Sequence, residues 1–223
     1  MIAAKNHKNG VNNPYAQMRK DLGYAFCREE SDRNPFVAGP LKRTDCSLVS
    51  DGAAALVIAD DDFASTAQRV VTFRTAQHAQ DFLPRAHRDI IAFEGCGVAW
   101  KRALADAEIS LNDLSFVETH DCFTIAELIE YEAMGLAAPG RGADVVRSGV
   151  TQADGKLPVN PSGGLKAKGH PIGATGVSMH VLTAMQLCND AGGIQVKDAK
   201  LGGVFNMGGA AVANYVSILE RVK

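Results

Sequence analysis

The stretch NPSGGLKAKGHPIGATG, residues 160–176, most constrains what this chain can fold into. It holds five glycines and two prolines around one histidine, His170, and it runs directly into a helical pattern. Glycine allows the backbone to approach a ligand closely, and proline fixes φ at the entry to a helix. A flexible linker has no need of the prolines. The stretch therefore predicts a close-packed loop that presents one imidazole at a site, where it can orient a carbonyl group or exchange a proton.

Composition and charge exclude several classes of protein. The chain has 223 residues, of which 46% are hydrophobic, so it can bury a sizeable core. Its 23 basic and 25 acidic residues give a net charge of −2, which offers no electrostatic attraction to nucleic acid or to a membrane surface. Apolar runs such as AAALVIA are too short to span a bilayer, and the N-terminus lacks the apolar core of a signal peptide. We therefore expect a cytoplasmic protein with no nucleic-acid and no membrane partner.

The five cysteines are widely spaced and include no C-x-x-C pair. An odd number without paired spacing favours free thiols in a reducing compartment over a disulfide framework or a zinc site. No G-x-G-x-x-G or G-x-x-x-x-G-K-[ST] nucleotide motif is present. We expect no metal site, because metal-ligand spacing is also missing from four further histidines: His7, His78, His87 and His180.

Strand and helix patterns alternate along the chain, which predicts an α/β layered fold. Residues 53–59 form a continuous apolar run that predicts a strand buried on both faces. Further strands are predicted at 69–79 and 114–121, and two strands joined through Gly208–Gly209 end the chain. Apolar residues at helical spacing predict helices over four segments: 15–22, 97–107, 124–136 and 174–188.

The sequence HDCF places Cys122 where a strand gives way to a helix. Thr124 and Glu127 have the spacing of a capping box at the start of that helix. Free backbone N–H groups and the positive end of the helix dipole favour a thiolate at such a position. His120 lies two residues earlier, so an imidazole and a thiol share one corner. The alternative is that Cys122 is only a small residue beneath the helix cap.

Two weaker signals accompany these residues. The sequence GGVFNMGGAA can present a backbone N–H near Gly208 to a developing oxyanion, but glycine pairs are also common at hairpins. Lys166 and Lys168 flank the glycines of the 160–176 stretch and can meet a phosphate group. A solvated charge is nevertheless the default expectation for a lysine in a loop.

Four segments together resemble the thiolases, enzymes that make or cleave 3-ketoacyl-coenzyme A: NPSGGLKAKGHPIGATG, HDCF, SDGAAALVI and KNHKNGVNNPYAQ. HDCF resembles the sterol-carrier-type subgroup, where most thiolases have Asn-Glu-Ala-Phe. The resemblance implies a five-layered αβαβα fold of two similar halves, with the C-terminal half complete and the N-terminal half mostly absent. Residues 1–66 are expected to be a remnant of the loop region and last strand of the N-terminal domain, and residues 67–223 the C-terminal domain.

The resemblance also implies a role for each candidate residue. His170 is expected to activate the nucleophilic cysteine and to help bind a thioester oxygen, and His120 stands where the usual Asn holds a water in the same oxyanion site. Cys122 is expected to be the acid/base that moves the proton on the substrate α-carbon. Gly208 is expected to donate a backbone N–H to a second oxyanion site, and Ser47 to touch the pantetheine arm. The substrate is then a coenzyme A thioester, with no permanently bound cofactor.

The chain departs from the family pattern at two places. Most thiolases have an acid/base cysteine in a C-x-G segment near the C-terminus, but that segment reads NMG here, with Asn206 in place of the thiol. The family's acyl-accepting cysteine lies in the N-terminal half, and Cys27, Cys46 and Cys96 do not occupy a strand-to-helix setting that could replace it. We therefore expect no nucleophilic cysteine in this chain.

Three classes of function remain open at this stage. The leading one is Claisen condensation or thiolytic cleavage of acyl-CoA and 3-ketoacyl-CoA thioesters, as in fatty-acid β-oxidation and other lipid metabolism. The alternatives are an aldolase-like C–C lyase acting on a coenzyme A thioester with a partner protein, and a non-catalytic coenzyme A-binding module. Since the strand at 53–59 is expected to lack its neighbours, we also expect a homo-oligomer or association with a missing N-terminal half.

Overall fold

The computed structural model describes all 223 residues and contains a four-stranded sheet, a two-stranded ribbon and eight α-helices. No helix combines the length and the apolar content that crossing a membrane requires. In chain order the elements are α1 (Ile2–Gly10), α2 (Tyr24–Arg28), β1 (Phe36–Ala38), β2 (Leu41–Lys42), α3 (Asp61–Thr66), β3 (Val71–Gln80), α4 (Glu94–Asp106), β4 (Phe116–Glu118), α5 (Thr124–Ala133), α6 (Gly142–Ser148), α7 (Gly164–Ala167), α8 (Thr175–Leu187), β5 (Leu201–Gly208) and β6 (Ala213–Arg221).

The four-stranded sheet has the order β3-β6-β5-β4 and is mixed. β6 runs antiparallel to both of its neighbours, and its hairpin with β5 closes at the pair Gly208 and Ala213. β4 and β5 run parallel, with Glu118 beside Val204. Parallel neighbours need a long crossover connection, and this one contains α5, α6, α7 and α8. The carboxyl ends of β4 and β5 therefore meet at one edge of the sheet.

Alternate side chains of the sheet pack against helices on opposite faces. Phe205 of β5 belongs to the larger hydrophobic core, which also buries Trp100 of α4. Its neighbour Val204 belongs to a second core together with Met179 of α8. The sheet is therefore buried on both faces in a helix–sheet–helix arrangement, and the predicted α/β layered fold is confirmed.

Most of the predicted elements are present. The strands predicted at 69–79 and 114–121 and the C-terminal hairpin are confirmed, as are the helices that correspond to α4, α5 and α8. Their ends differ from the predicted ones by a few residues, which is normal for pattern-based boundaries. Gly135 follows the end of α5 with φ +88°, a left-handed conformation that suits the predicted C-terminal stop.

The strand predicted over residues 53–59 is wrong. These residues have no regular secondary structure and belong to neither sheet. Val57 and Ile58 are 89% and 79% exposed. A continuous apolar run becomes a buried strand only where neighbouring strands hydrogen-bond to it and layers cover both of its faces. No such neighbours lie beside residues 53–59, which we call the exposed apolar segment.

The helix predicted over residues 15–22 is also wrong, and the N-terminal helix is α1 instead. Asn13 Oδ1 accepts the backbone N–H of Tyr15 at 3.0 Å, which holds the chain in a turn. Met18 then donates its backbone N–H to the Ala167 carbonyl at 3.0 Å. The local turn and the contact with Ala167 use backbone groups that a helix would need. Ala167 belongs to residues 160–176, which we call the glycine-rich loop.

Replacing Gly202 with alanine should destabilise the sheet, whereas the same change at Gly208 should not. A Cβ on Gly202 would lie 2.6 Å from Thr183 Cγ2 and 2.7 Å from Phe116 Cζ, while the nearest atom to a Cβ on Gly208 is 4.0 Å away. Overpacking of this kind costs about 1–3 kcal/mol. Urea denaturation of the two variants measures the difference in unfolding free energy, and equal values would contradict the packing described for β5.

Replacing Val57 and Ile58 together with lysine should reduce self-association without unfolding the chain. Both side chains already lie in solvent, so the change in unfolding free energy should stay within about 0.5 kcal/mol. Light scattering over a micromolar concentration series measures the association, with Val222→Lys as a control at another exposed apolar position. A wild-type chain that remains monomeric throughout the series would contradict this prediction.

Candidate active site

The parallel pairing of β4 and β5 brings His120 next to Asn206. Glu118 of β4 lies beside Val204 of β5, and both His120 and Asn206 lie two residues further along their segments. His120 Nδ1 is 2.6 Å from Asn206 Oδ1. Ligand sites in α/β folds commonly form outside the carboxyl ends of parallel strands, and this pair occupies that position.

The glycine-rich loop adds His170 to the same corner. The ring centroids of His120 and His170 are 5.1 Å apart, in an edge-to-face arrangement with an interplanar angle of 88°. His170 Nδ1 lies 2.7 Å from the hydroxyl oxygen of Thr175, the first residue of α8. The structure therefore brings together two predicted imidazoles that are fifty residues apart in the sequence.

A buried carboxylate, Asp121, holds the loop against the end of β4. Asp121 Oδ1 accepts the backbone N–H of Leu165 at 2.6 Å, and Oδ2 accepts the backbone N–H of Lys166 at 3.3 Å. Asn6 Nδ2 of α1 donates to Asp121 Oδ2 at 2.8 Å. A Cβ on Gly164 would lie 2.5 Å from each of the two carboxylate oxygens. Only glycine allows this approach, which explains the second glycine of PSGG.

Residues 46–50 connect the Cys122 corner to the His170 loop. The backbone N–H of Ser47 donates to the Cys122 carbonyl at 2.8 Å. Ser50 Oγ accepts the backbone N–H of His170 at 2.9 Å. The backbone of Ser47 thus lies beside the site, and contact of its side chain with a pantetheine arm stays a prediction.

Cys122 is a partly buried thiol, not a stabilised thiolate. Its side chain packs against both hydrophobic cores. Burial, reinforced by the carboxylates of Glu130 and Asp121, raises the pKa of Cys122 to about 12. The thiolate expected from the helix start is therefore wrong, because loss of hydration outweighs the local dipole.

The capping box predicted at the start of α5 does not form. Thr124 Oγ1 donates to Asp45 Oδ1 at 2.9 Å, and α5 has no side-chain cap. Glu127 is fully buried, where it pairs with Lys5 Nζ at 2.6 Å and accepts a hydrogen bond from Asn6 Nδ2 at 2.6 Å. The polar side chains expected to cap α5 instead attach it to the N-terminal segments.

Both site imidazoles are neutral near pH 7. Burial lowers the pKa of His120 to about 4, and the nearby His170 and Lys168 act in the same direction, whereas the hydrogen bond of His120 to Asn206 raises it. Burial and the charge of Lys168 also lower the pKa of His170. A neutral imidazole has one N–H donor and one acceptor nitrogen. Each ring can therefore take up a proton during a reaction.

Lys166 and Lys168 are buried, which corrects the expectation of solvated loop charges. They are 1% and 6% exposed. Lys166 Nζ donates to the Cys46 carbonyl, and Lys168 Nζ donates to Ser178 Oγ at 2.9 Å. Burial lowers the pKa of both lysines, that of Lys166 to about 8.

A cavity of about 380 Å³ opens beside the same segment and is lined by Cys46 and Leu48, which flank Ser47. Asp32 is the one acidic residue of its lining. Five basic or imidazole side chains also line it: His7, Lys20, Arg33, Arg43 and Lys166. These residues are scattered over most of the sequence, so only the folded chain reveals the basic cavity.

Sequence reasoning missed Thr175 and Asp121, and it treated Asn206 only as the loss of a thiol. Two features of the sequence could have revealed them. Thr175 lies five residues after His170, and Asp121 lies between His120 and Cys122. Gly208 lies two residues beyond Asn206 at the end of β5, and its role as an oxyanion donor stays a prediction. No group of three or more His, Cys, Asp or Glu side chains is arranged to hold a metal ion.

Comparison with known proteins identifies the family. A family model described as thiolase C-terminal domain-like matches residues 76–221. The chain is 37% identical over 223 residues to an acetyl-CoA acetyltransferase of Methanothermobacter thermautotrophicus, which covers 99% of this chain and 57% of that relative. It is 36% identical to sterol carrier protein 2 of Homo sapiens over 95% of this chain and 39% of that protein. The chain belongs to the thiolase family.

Solved structures have the same fold. The chain matches a structure titled Ltp2-ChsH2(DUF35) aldolase with a TM-score of 0.84 and 18% identity, over 98% of this chain and 56% of that one. It matches a monomeric SCP2-thiolase-like protein from Mycobacterium smegmatis with a TM-score of 0.68 and 16% identity, over 98% and 45% of the two chains. The chain spans about half the length of the relatives it matches. The resemblance to the C-terminal portion of a thiolase is confirmed.

Replacing His120 with asparagine should make the stability of the chain less sensitive to acid. The pKa of His120 is about 4 when folded, and that of an unfolded histidine is about 6.5. Between these values the unfolded state binds more protons, so stability is lost as the pH falls through this window. Relative to His120→Asn, the wild type should lose about 2 kcal/mol of unfolding free energy between about pH 7 and pH 4.5.

Urea denaturation at several pH values measures this difference, with His87→Asn as a control at an exposed histidine. The control should follow the wild type. Burial also raises the pKa of Asp121, so only the difference between variants isolates His120. Parallel curves for the wild type and His120→Asn would contradict a buried neutral imidazole.

Proposed function

We propose that this chain provides the proton-transfer and oxyanion part of a thiolase-type site that acts on acyl-CoA and 3-ketoacyl-CoA thioesters, by Claisen condensation or thiolytic cleavage. The observation that carries the proposal is the edge-to-face contact of His120 and His170 at 5.1 Å. Cys122 follows His120 by two residues in the sequence. In this proposal the acyl-accepting thiol comes from outside these 223 residues.

The residue types suit the chemistry that such a reaction needs. A thioester acidifies its α-carbon only modestly, so proton transfer and oxyanion stabilisation must both contribute. His170 takes the proton of the acyl-accepting thiol and then donates its new N–H to the thioester oxygen. His120 holds a water in the same oxyanion site, and the backbone N–H of Gly208 serves a second oxyanion. Cys122 exchanges the proton of the α-carbon.

The protonation state of Cys122 favours the cleavage direction for the resting site. With a pKa of about 12, this thiol carries its proton at neutral pH. Cleavage of the C–C bond of a 3-ketoacyl thioester leaves an enolate that must gain a proton at carbon. The Cys122 S–H bond breaks as the new C–H bond forms, and the thiolate that remains is reprotonated before the next turnover.

The basic cavity supports a coenzyme A thioester as the substrate. Arg33, Arg43 and Lys20 line it with positive charge, and Cys46 and Leu48 link it to the site through Ser47. Arginine and lysine side chains bind phosphate groups through charge-assisted hydrogen bonds. A nucleotide phosphate held in this cavity leaves the pantetheine arm to extend past Ser47 toward the imidazole pair.

A C–C lyase acting on a coenzyme A thioester with a partner protein is the second candidate. The match to the structure titled Ltp2-ChsH2(DUF35) aldolase, with a TM-score of 0.84 over 98% of this chain, favours keeping it. A retro-aldol reaction needs a proton acceptor but no acyl-enzyme, so it requires no nucleophilic cysteine. The exposed apolar segment offers a surface for the partner. A non-catalytic coenzyme A-binding module is the third candidate and needs only the basic cavity.

Exchange of the α-protons of acetyl-CoA with D2O tests the proposal on the 223-residue chain, because it requires proton transfer but no acyl-enzyme. The wild type should catalyse exchange, and Cys122→Ala and His120→Ala should each slow it by about 100-fold or more. His87→Ala, at an exposed histidine remote in sequence from the site, should leave the rate unchanged. Mass spectrometry of the acetyl group measures the exchange.

The same variants separate the three candidates. Exchange that persists in Cys122→Ala would contradict the role proposed for that thiol. Retro-aldol cleavage of a 3-hydroxyacyl thioester that is independent of any acyl-enzyme would favour the lyase. Saturable binding of coenzyme A without exchange or cleavage would favour the binding module.

A further inference from the structure

Each imidazole of the pair has its Nδ1 atom bonded to a side chain outside the pair. We propose that Asn206 and Thr175 are positioning residues that hold His120 and His170 in the Nδ1–H tautomer, so that both Nε2 atoms are proton acceptors and the pair takes up one proton at a time. The inference rests on the proposed function in treating the pair as a proton acceptor during catalysis. The tautomers themselves follow from the hydrogen bonds.

The tautomer of His170 follows from the bonds of the Thr175 hydroxyl. Thr175 Oγ1 lies 3.1 Å from the Pro171 carbonyl oxygen, an acceptor to which the hydroxyl gives its only proton. The same oxygen lies 2.7 Å from His170 Nδ1. With the hydroxyl proton directed to the Pro171 carbonyl, the oxygen accepts at the second contact, and we assign a hydrogen to Nδ1 of His170 on that basis. Thr175 is 1% exposed, so water does not compete for these bonds.

The tautomer of His120 follows from its contact with Asn206. An amide oxygen can only accept a hydrogen bond, and Asn206 Oδ1 lies 2.6 Å from His120 Nδ1. The amide nitrogen of Asn206 faces Gly176, where a Cβ would lie 3.0 Å away. The glycine at the start of α8 leaves room for this orientation of the amide. We therefore assign the hydrogen to Nδ1 of His120 and the free lone pair to Nε2.

This arrangement gives Asn206 a function of its own. The resemblance to other thiolases presents Asn206 only as the loss of a thiol, whereas the structure makes it the hydrogen-bond acceptor that orients His120. A neutral imidazole with its hydrogen on Nδ1 cannot donate from Nε2 to a substrate oxygen. It can do so only after Nε2 gains a proton, and with ring centroids 5.1 Å apart a proton on one ring opposes a second on the other. The pair is then a one-proton acceptor that becomes an oxyanion donor after the first proton transfer.

Two-bond 1H–15N correlation spectra of the chain labelled with 15N-histidine report the tautomer of each ring directly. The chain has six histidines, and His120→Gln and His170→Gln identify the signals of the pair. Near pH 7 the wild type should show the Nδ1–H tautomer for both rings. Asn206→Leu should reduce that tautomer to a minor form at His120 only, and Thr175→Val should do so at His170 only. Thr175→Ser retains the acceptor oxygen and should preserve the wild-type pattern, whereas Asn206→Asp should keep the hydrogen on Nδ1 of His120 and raise the pKa of that ring.

An Nε2–H tautomer at either ring of the wild type would overturn the proposal, as would a His120 signal that is unchanged in Asn206→Leu. The wild-type spectrum is decisive even where a variant fails to fold. No substrate is present, so the outcome is independent of whether the chain exchanges α-protons. Two Nδ1–H rings in a chain without exchange activity would support the positioning role and count against the proposed function alone.

Discussion

The carboxylate of Asp121 is the contact on which the rest of the site depends. It accepts backbone N–H groups from Leu165 and Lys166 and a side-chain hydrogen bond from Asn6, so one side chain joins the end of β4, the glycine-rich loop and α1. His120 and Cys122 are its two neighbours in the chain. A shift of this carboxylate would therefore displace both of them relative to His170. The contact requires a glycine at position 164, because a Cβ there would collide with the carboxylate oxygens.

Further buried charged side chains surround the Asp121 carboxylate. Glu118, Glu127 and Glu130 are each at most 1% exposed, and Lys5 pairs with Glu127 at 2.6 Å. Burial, followed by the charge of Glu127, raises the pKa of Asp121 to about 7. Replacing such a network with well-packed apolar residues is often neutral or stabilising, so its presence is weak evidence for stability. What it supplies is direction: both oxygens of Asp121 accept backbone N–H groups of the loop, which holds the loop in one position.

The sequence predicts the helices and strands that have a clear local pattern. It does not predict features that depend on which residues the fold buries. The hairpin of β5 and β6 and the helix α8 follow from period and glycine punctuation, and the motif around His170 predicts an imidazole at a site. The strand predicted for the exposed apolar segment is wrong because an apolar run forms a strand only where neighbouring strands pair with it. The thiolate prediction for Cys122 is wrong because the helix start is visible in the sequence, whereas the two cores against which its side chain packs are not. The expectation of a solvated charge at Lys166 is wrong for the same reason, because a loop lysine is solvated unless other parts of the fold cover it.

In the proposed function, the pKa values of the site residues divide the work of proton transfer. A thiol with a pKa of about 12 holds its proton at neutral pH, and an imidazole with a pKa of about 4 does not. The resting corner therefore offers one donor and two acceptors, and none of the three carries a charge. In the proposed reaction charge appears only when the substrate reacts, and a proton newly taken up by an imidazole is then attracted to the oxyanion. In this proposal a histidine at 120, with Asn206 as its partner, provides a proton acceptor at the place where a second thiol would have provided a donor.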